Sequence, residues 1–317
     1  MRGPHNIFRL IRTGATLERT GAMNVILDAY NAPWGVRLGA KVLGWPFQWL
    51  GYKGDTTMPP ATRALTALGP AYIKFGQILS TRPDVVGEEL AVQMRVLQDK
   101  LPPFPMADAK QMIEAELEQP LEGLFSEFSE PVAAASIAQV HRGKLISDGS
   151  NVAVKVLRPG IEKAFRRDID AFYFAARMIE TLAPSARRLR PLDVIAHFEG
   201  VVMGELDLRL ESSAAGEFAA NTEADLGFQL PKVNWNLSGK NVMTMDWAEG
   251  ISAGDNAALD AAGHDRRKIG ERILQLFLSH ALRDGFFHAD LHQGNIKVAA
   301  NGDVIAYDFG IMGRIDE

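Results

Sequence analysis

Asp290, Asn295 and Asp308 fall close together in the run Phe-Phe-His-Ala-Asp-Leu-His-Gln-Gly-Asn-Ile-Lys-Val-Ala-Ala-Asn-Gly-Asp-Val-Ile-Ala-Tyr-Asp-Phe-Gly, which occupies Phe286 to Gly310 of this 317-residue chain. Their types suit phosphoryl transfer. That chemistry needs a carboxylate beside the accepting oxygen and oxygen ligands that hold Mg²⁺ against the phosphates. Asp290 fits the first role and Asn295 with Asp308 the second.

The elements around them must bring these groups together. Ile296 to Ala300 and Asp303 to Tyr307 are two β-prone runs separated by Asn301-Gly302, a strong signal for a two-residue type I′ turn. In such a hairpin paired residue numbers sum to 603, which sets Asn295 opposite Asp308 at its open end. Opposed residues have Cα atoms roughly 4.5 to 5.5 Å apart, so one cation is expected to be shared by both side chains. A lysine joins them from Val152-Ala153-Val154-Lys155-Val156, where alternation puts Ala153 and Lys155 on one face and the valines on the other. A small residue beside a lysine suits a base edge with phosphates beyond it. The order of strand lysine, aspartate with asparagine, then Asp-Phe-Gly follows the protein-kinase signature set.

Composition narrows the alternatives. With 47% hydrophobic and 23% charged residues, the chain can bury a sizeable core and is long enough for about two domains. It has no cysteine, which excludes disulfides and thiolate metal sites and fits a reducing compartment. A net charge of −5 gives no global electrostatic case for nucleic acid. The charge is uneven, because Arg2, Arg9, Arg12, Arg19, Arg37, Lys41 and Lys53 face only Glu18 and Asp28 over the first 53 residues. Trp34, Trp45, Phe47, Trp49 and Tyr52 share that segment. Basic residues with such aromatics suit an anionic membrane surface, and equally suit docking onto the protein itself. No apolar run is long enough for a transmembrane helix, and Arg9 with Arg12 interrupts any early leader-like stretch.

Helical periodicity marks Leu65, Leu68, Tyr72, Phe75 and Leu79, split at Gly69-Pro70, and Leu90, Met94, Leu97 and Leu101, ended by Pro102-Pro103. Strands follow. Gln139 to Ile146 and Val152 to Leu157 predict a hairpin across Asp148-Gly149, and Ile169, Phe172, Ala176 and Ile179 a helix. A further helix is expected over Leu192 to Ala220 and another hairpin over Lys232 to Leu237 and Asn241 to Trp247. Ile269, Ile273, Leu276 and Phe277 line a helix that Gly285 can cap, leading into the Asp290 loop. Asp207 and Glu211 are four apart and are expected to share a helix face. Glu205 lies about 200° around from Asp207, so either one of them points elsewhere or the helix is irregular there.

Together these residues resemble the UbiB family of atypical kinase-like proteins, from about Leu68 onward. Four stretches carry the resemblance: Lys74-Phe75-Gly76-Gln77, similar to the family's Lys-x-Gly-Gln signature; Ala133-Ala134-Ala135-Ser136, like the alanine-rich loop that replaces the usual glycines; Glu205-Leu206-Asp207 with Glu211; and His288 to Asn295 followed by Asp308-Phe309-Gly310. Alanines there would hold a more restricted phosphate loop, since a left-handed conformation costs an L-residue roughly 1 to 2 kcal/mol. Leu291 and Gln293 stand where the family usually has prolines.

The resemblance implies an α+β, protein-kinase-like fold that binds ATP and Mg²⁺. It divides into a basic, aromatic and helical extension (1–105), a small lobe (106–250) and the start of a large lobe (251–317), which is expected to be incomplete because the sequence ends seven residues after Gly310. It further implies that Glu211 orients Lys155 toward phosphate and that Asp290 acts as base or water-positioning group. Asn295 and Asp308 would hold metal. Lys74, Gln77, Glu205 and Asp207 would belong to the catalytic set, with Lys74 near Glu205 or Asp207. Ala133 to Ser136, Ala153 and the stretch from Met245 to Ala248 would surround the nucleotide. The implied role is an ATPase or phosphotransferase supporting ubiquinone biosynthesis, cytoplasmic and peripheral at the inner membrane, with lipid precursors or their enzymes as partners. An ordinary kinase and a nucleotide-binding scaffold without turnover are the alternatives.

Overall fold

The computed structural model describes residues 5–29, 31–98, 103–182, 187–188 and 190–315. By packing the chain forms two compact units, a helical one (1–102, 134–137 and 160–203) and a sheet-containing one (103–133, 138–159 and 204–317).

The described residues begin with seven α-helices: α1 (His5–Thr20), α2 (Ala22–Ala29), α3 (Trp34–Gly44), α4 (Pro60–Leu68), α5 (Pro70–Ser80), α6 (Pro83–Val86) and α7 (Glu88–Arg95). A 3₁₀ turn, Trp45–Leu50, follows α3. Proline opens α4, α5 and α6, where its missing N–H is not needed, and Gly69 at φ +115° breaks α4 from α5 as the sequence predicts. Ala61, Ile73, Val86, Leu90, Ala91, Met94 and Leu97 are buried together between α4, α5 and α7. The helix expected to run to Leu101 ends earlier, in a 3₁₀ turn over Val96–Gln98, and Leu101 itself lies outside the described residues.

Next come α8 (Met106–Leu117), the short α9 (Leu121–Leu124), β1 (Phe125–Ala134), β2 (Ala138–Leu145) and β3 (Asn151–Leu157). The β2–β3 hairpin turns at Asp148-Gly149, with Gly149 at φ +73° and the Asp148 carboxylate accepting from the Ser150 N–H at 2.9 Å. Val152, Val154 and Val156 alternate onto one face, where they are buried with Ile113, Phe125 and Leu145 under α8. Gln139 and His141 are also fully buried there, and they satisfy each other. The Gln139 Oε1 accepts from the Phe104 N–H (3.0 Å), its Nε2 meets His141 Nε2 (2.9 Å), and His141 Nδ1 meets the Ser129 carbonyl (2.8 Å). A carbonyl can only accept, so Nδ1 carries the proton, and burial lowers the His141 pKa toward this neutral form.

The helices α10 (Ile161–Leu182) and α11 (Pro191–Glu205) then return to the helical unit, apart from the last two residues of α11. Phe172 of α10 meets Tyr72 and Phe75 of α5 with ring centroids 4.8 and 5.4 Å apart, and Phe198 of α11 meets Phe75 at 5.2 Å. The remaining elements are α12 (Leu208–Asn221), β4 (Phe228–Gln229), β5 (Val242–Asp246), β6 (Ile251–Ser252), α13 (Asn256–Ala261), α14 (Arg266–Ser279), β7 (Phe286–His288), β8 (Ile296–Val298), β9 (Val304–Ala306) and β10 (Met312–Arg314). They complete a sheet ordered β1-β2-β3-β5, a second ordered β4-β9-β8-β6, and the pair β7–β10.

Three sequence expectations change here. The single helix over 192–220 is two helices, broken at Leu206 and Asp207, and Asp207 does not share a face with Glu211. It caps α12, its carboxylate accepting from the Arg209 N–H (3.1 Å) and guanidinium (2.6 Å). The irregular-helix alternative for Glu205 and Asp207 is the one observed. In the hairpin expected over 232–247, the first arm contributes only an isolated bridge, Val233 to Met245, and a 3₁₀ turn, while β5 pairs with β3. The third change concerns the site itself.

Candidate functional site

The turn between β8 and β9 holds three residues, not two. Ile296 pairs with Ala306, Lys297 with Ile305 and Val298 with Val304, so paired numbers sum to 602. Ala299 N–H donates to the Asp303 carbonyl (2.9 Å), Gly302 N–H to the Ala299 carbonyl (2.9 Å), and Gly302 sits at φ +87°. This is a type I turn closed by a left-handed glycine, and the Asn301-Gly302 pair suits it as well as it suits type I′. Asn295 therefore faces Tyr307, whose N–H donates to the Asn295 carbonyl at 3.3 Å, and the cross-strand pairing of Asn295 with Asp308 is overturned. A one-residue slip exchanges the faces of a strand.

Asp308 has another partner. Lys155 Nζ lies 2.7 and 2.9 Å from the two Glu211 oxygens and 3.4 Å from Asp308 Oδ1. The strand β3 supplies the lysine, α12 the glutamate one turn after its Asp207 cap, and the turn after β9 the aspartate. The helix α12 serves twice, since its Phe218 also packs against Phe309 (ring centroids 6.3 Å apart) and so fixes the residue next to Asp308. Phe309 is fully buried and also meets His288 at 6.2 Å.

The charges of this cluster are set by competition between burial and pairing. Burial alone would depress Lys155, but Asp308 and Glu211 outweigh it and raise the ammonium's pKa. Lys155 holds the Asp308 carboxyl well below the usual range, at about 2. Burial raises Glu211 although Lys155 pulls the other way, and the adjacent Asp308 charge adds to the rise. Asp308 is thus the carboxylate whose ionised form is favoured more strongly. It also keeps 44% of its side chain exposed, where Glu211 keeps 9%.

The loop after β7 is organised by its own backbone. The Asp290 N–H donates to His288 Nδ1 (3.2 Å), and the Asp290 carbonyl accepts from the His292 N–H (3.0 Å) and from Asn295 Nδ2 (3.0 Å). Burial lowers the His288 pKa, which suits the neutral ring that an accepting Nδ1 requires. Because the Asn295 nitrogen is committed to Asp290, its Oδ1 is the atom left to ligate a cation. The Asp290 carboxylate is half exposed, with His292 Nε2 3.8 Å from it. Leu291 and Gln293 do not prevent this loop from forming.

Ala153 pairs with Met245 and Lys155 with Met243, so all four stand on one sheet face. Sequence reading named Ala153 and the stretch from Met245 to Ala248, Trp247 included, but not Lys297 and Tyr307. Lys297 Nζ donates to the Ala248 carbonyl (2.8 Å) and lies 5.0 Å from the Trp247 ring centroid and 5.6 Å from that of Tyr307. Alternation along β8 was the available signal, since Lys297 is the one polar residue between Ile296 and Val298. Of the remaining candidates, Ala134, Ala135 and Ser136 belong to the helical unit and Ala133 to the other. Lys74 and Gln77 stand on α5, where Gln77 Nε2 donates to the Leu97 carbonyl at 2.7 Å. Glu205 ends α11.

Among the described residues, no group of three or more His, Asp or Glu side chains could hold a metal alone. An ionised Asp308 and the Asn295 amide oxygen fit Mg²⁺, which is commonly held by one or two protein oxygens with phosphate and water completing the shell.

Known proteins resemble this chain over most of its length. The ABC1 atypical kinase-like domain matches residues 96–317. A "Probable protein kinase UbiB" of Marinobacter nauticus is 42% identical over 257 residues, covering 80% of this chain and 47% of the relative. Similarly named proteins of Shewanella baltica and Pseudomonas paraeruginosa are each 38% identical, covering 100% and 98% of this chain and 57% and 59% of theirs. The chain thus spans about half to three fifths of the length of these curated relatives. A solved structure of Rv3197 with erythromycin, from Mycobacterium tuberculosis, is 30% identical with a TM-score of 0.57, over 75% of this chain and 60% of that one. Strand lysine, helix glutamate and Asp-Phe-Gly are therefore parts of an α+β kinase-like fold, and the chain belongs to the ABC1 family of atypical kinase-like domains, as the resemblance to UbiB implied.

Proposed function

We propose that this chain carries the nucleotide-binding part of an ATP- and Mg²⁺-dependent atypical kinase or ATPase that supports ubiquinone biosynthesis at a membrane, acting on lipid-borne precursors or on the enzymes that handle them. The observation that supports this most is Lys155 held between Glu211 and Asp308. A lysine kept charged beside an ionised carboxylate suits a triphosphate with its metal. When bound, Mg²⁺ would neutralise developing charge on the phosphates, with Asp308 and Asn295 as its protein ligands. Glu211 positions Lys155, which binds phosphate oxygens. Asp290, on a loop tied by Asn295, accepts the proton of the attacking hydroxyl or orients water.

Asp308→Asn is expected to weaken Mg²⁺-dependent ATP binding on the order of tenfold or more, because a ligand charge is lost. Asp290→Asn should leave binding intact and lower turnover. Both are measured by titration with Mg²⁺-ATP and by phosphate release in a protein of the relatives' full length, with and without anionic lipid. Equal Mg²⁺-ATP binding by parent and Asp308→Asn sinks the metal assignment. Unchanged phosphate release in Asp290→Asn indicates a scaffold, and efficient transfer to peptides an ordinary protein kinase. The role that resemblance gives Lys74 is tested separately, by whether Lys74→Ala alters nucleotide preference or turnover.

A further inference from the structure

The helix α3 carries an apolar stripe that is left uncovered. Trp34, Leu38, Val42 and Trp45 recur at i, i+4, i+8 and i+11, one stripe of a helix. That stripe faces solvent, with Trp34 78%, Leu38 52%, Val42 60% and Trp45 73% exposed, and Trp49 of the following 3₁₀ turn is 75% exposed. Such a row of large apolar side chains left in water marks a surface that something covers.

The platform beneath it is fixed. Gly44 lies against the Glu18 side chain of α1, and Gly51 lies so close to the Ala15 carbonyl that a Cβ there would collide with backbone. Arg19 donates to the Gly51 carbonyl (2.6 Å) and the Tyr52 N–H to Thr16 Oγ1 (3.0 Å). Arg37 is tied back to α2 and the loop after it, its guanidinium donating to the Leu27 and Ala32 carbonyls and to Asp28. The stripe is therefore the outer face of an anchored element.

Charge says what covers it. Between Asp28 and Asp55 there is no acidic residue, while Lys41 and Lys53 are exposed and Lys41 lies beside the stripe, about 20° beyond Trp34 around the helix. A second copy docked face to face would bring Lys41 against its own counterpart. Tryptophan sits stably where apolar and wet regions meet, and lysine beside it reaches anionic headgroups. We propose that α3 and the 3₁₀ turn after it form a preformed docking face for an anionic lipid surface, with the tryptophans at the headgroup boundary. This rests on the membrane part of the reading above and is independent of its nucleotide chemistry.

The test uses the 317-residue chain without nucleotide, sedimented with phosphatidylcholine vesicles with or without phosphatidylglycerol, while tryptophan emission is followed. The parent should bind the anionic vesicles with a blue shift, and bind neutral ones at least about tenfold more weakly. Added salt should weaken binding. Trp34→Ser/Leu38→Ser/Trp45→Ser should abolish sedimentation while Mg²⁺-ATP affinity stays at the parent value, and Lys41→Glu, which keeps the apolar stripe, should weaken it about tenfold. The proposal is overturned if the parent ignores anionic vesicles, if the triple variant binds like the parent, or if the stripe instead drives a dimer that the triple variant dissolves. Loss of Mg²⁺-ATP binding in Asp308→Asn bears only on the nucleotide reading.

Discussion

Two regions of this molecule invert the usual partition of residues between core and surface. The sheet-containing unit hides Lys155 and Glu211 against Asp308, and the helical unit bares Trp34, Trp45 and Trp49. The first inversion is settled within the chain, because each charge has an opposite partner within hydrogen-bond distance or close to it. The second has no such settlement among the described residues, since the stripe's inner neighbours are already packed on α1. Internal pairing reads as chemistry that must be preorganised, whereas an unpaired apolar face reads as a place for an external phase.

The cluster should be the more fragile of the two. Lys155→Met leaves two carboxylates without their cation, and removing one member of a buried ion pair costs roughly 3 to 5 kcal/mol. Denaturant unfolding measures this. The variant should also gain stability on acidification, as the carboxylate pair takes up a proton. Adding Glu211→Leu should recover most of the lost stability without recovering Mg²⁺-ATP binding, which separates folding from function. If Lys155→Met is as stable as the parent, the cluster is solvated and the comparison collapses.

On the helical side the strongest single lever is Gly51. Gly51→Ala places a Cβ against the backbone of α1 at Ala15 and Thr16, and backbone cannot rotate away as a side chain can. A cost of about 1 to 3 kcal/mol is expected, together with weaker vesicle binding as the platform loosens. A melting temperature equal to the parent's would mean that the platform is not anchored there.

Legibility followed the range of the interactions. The helices α4, α5 and α7, the β2–β3 hairpin and the pairing of Lys155 with Glu211 could be read from periodicity, turn residues and the resemblance, whereas α1 to α3 carried no periodic signal that was read. Register could not, because Asn301-Gly302 serves a two-residue and a three-residue turn alike, and only pairing across β8 and β9 chooses. The break at Asp207 was half legible, since Glu205 and Asp207 could not both face inward on one straight helix. Its cap with Arg209 depends on geometry that periodicity does not carry. Exposure of the tryptophans was not legible, because the same aromatics would suit a docked core segment.

A third lever shows a buried charge whose partner loses the contest. Asp168 of α10 is bonded to Arg9 at 2.8 Å, yet burial outweighs the arginine and pushes its carboxyl from 3.8 up to about 6. The folded state therefore binds the extra proton between about pH 4 and 6, so this group's contribution to stability falls as pH rises through that window. The change is on the order of 2 kcal/mol. Unfolding at pH 4.5 and pH 7 should show it in the parent and not in Asp168→Asn. A flat profile in the parent would mean that Arg9 wins, making Asp168 like Asp308.

The smallest effect is expected at the β8–β9 turn, which lies in neither inverted region and serves as a control on both. Gly302 at φ +87° should cost about 1 kcal/mol when replaced by alanine. Deleting Ala300 should cost less still, because Ala299 can stay opposite Asp303 while Asn301-Gly302 becomes a two-residue type I′ turn. The strands keep their pairing, Asn295 keeps Tyr307, and Asp308 stays with Lys155. Mg²⁺-ATP affinity should then match the parent, and cross-strand proton contacts by NMR should still join Ile296 to Ala306. If the deletion instead moves Asn295 opposite Asp308, the loop sets the register. If the pairing survives, the buried β8–β9 strands and the Lys155 cluster set it, and the turn only closes the end.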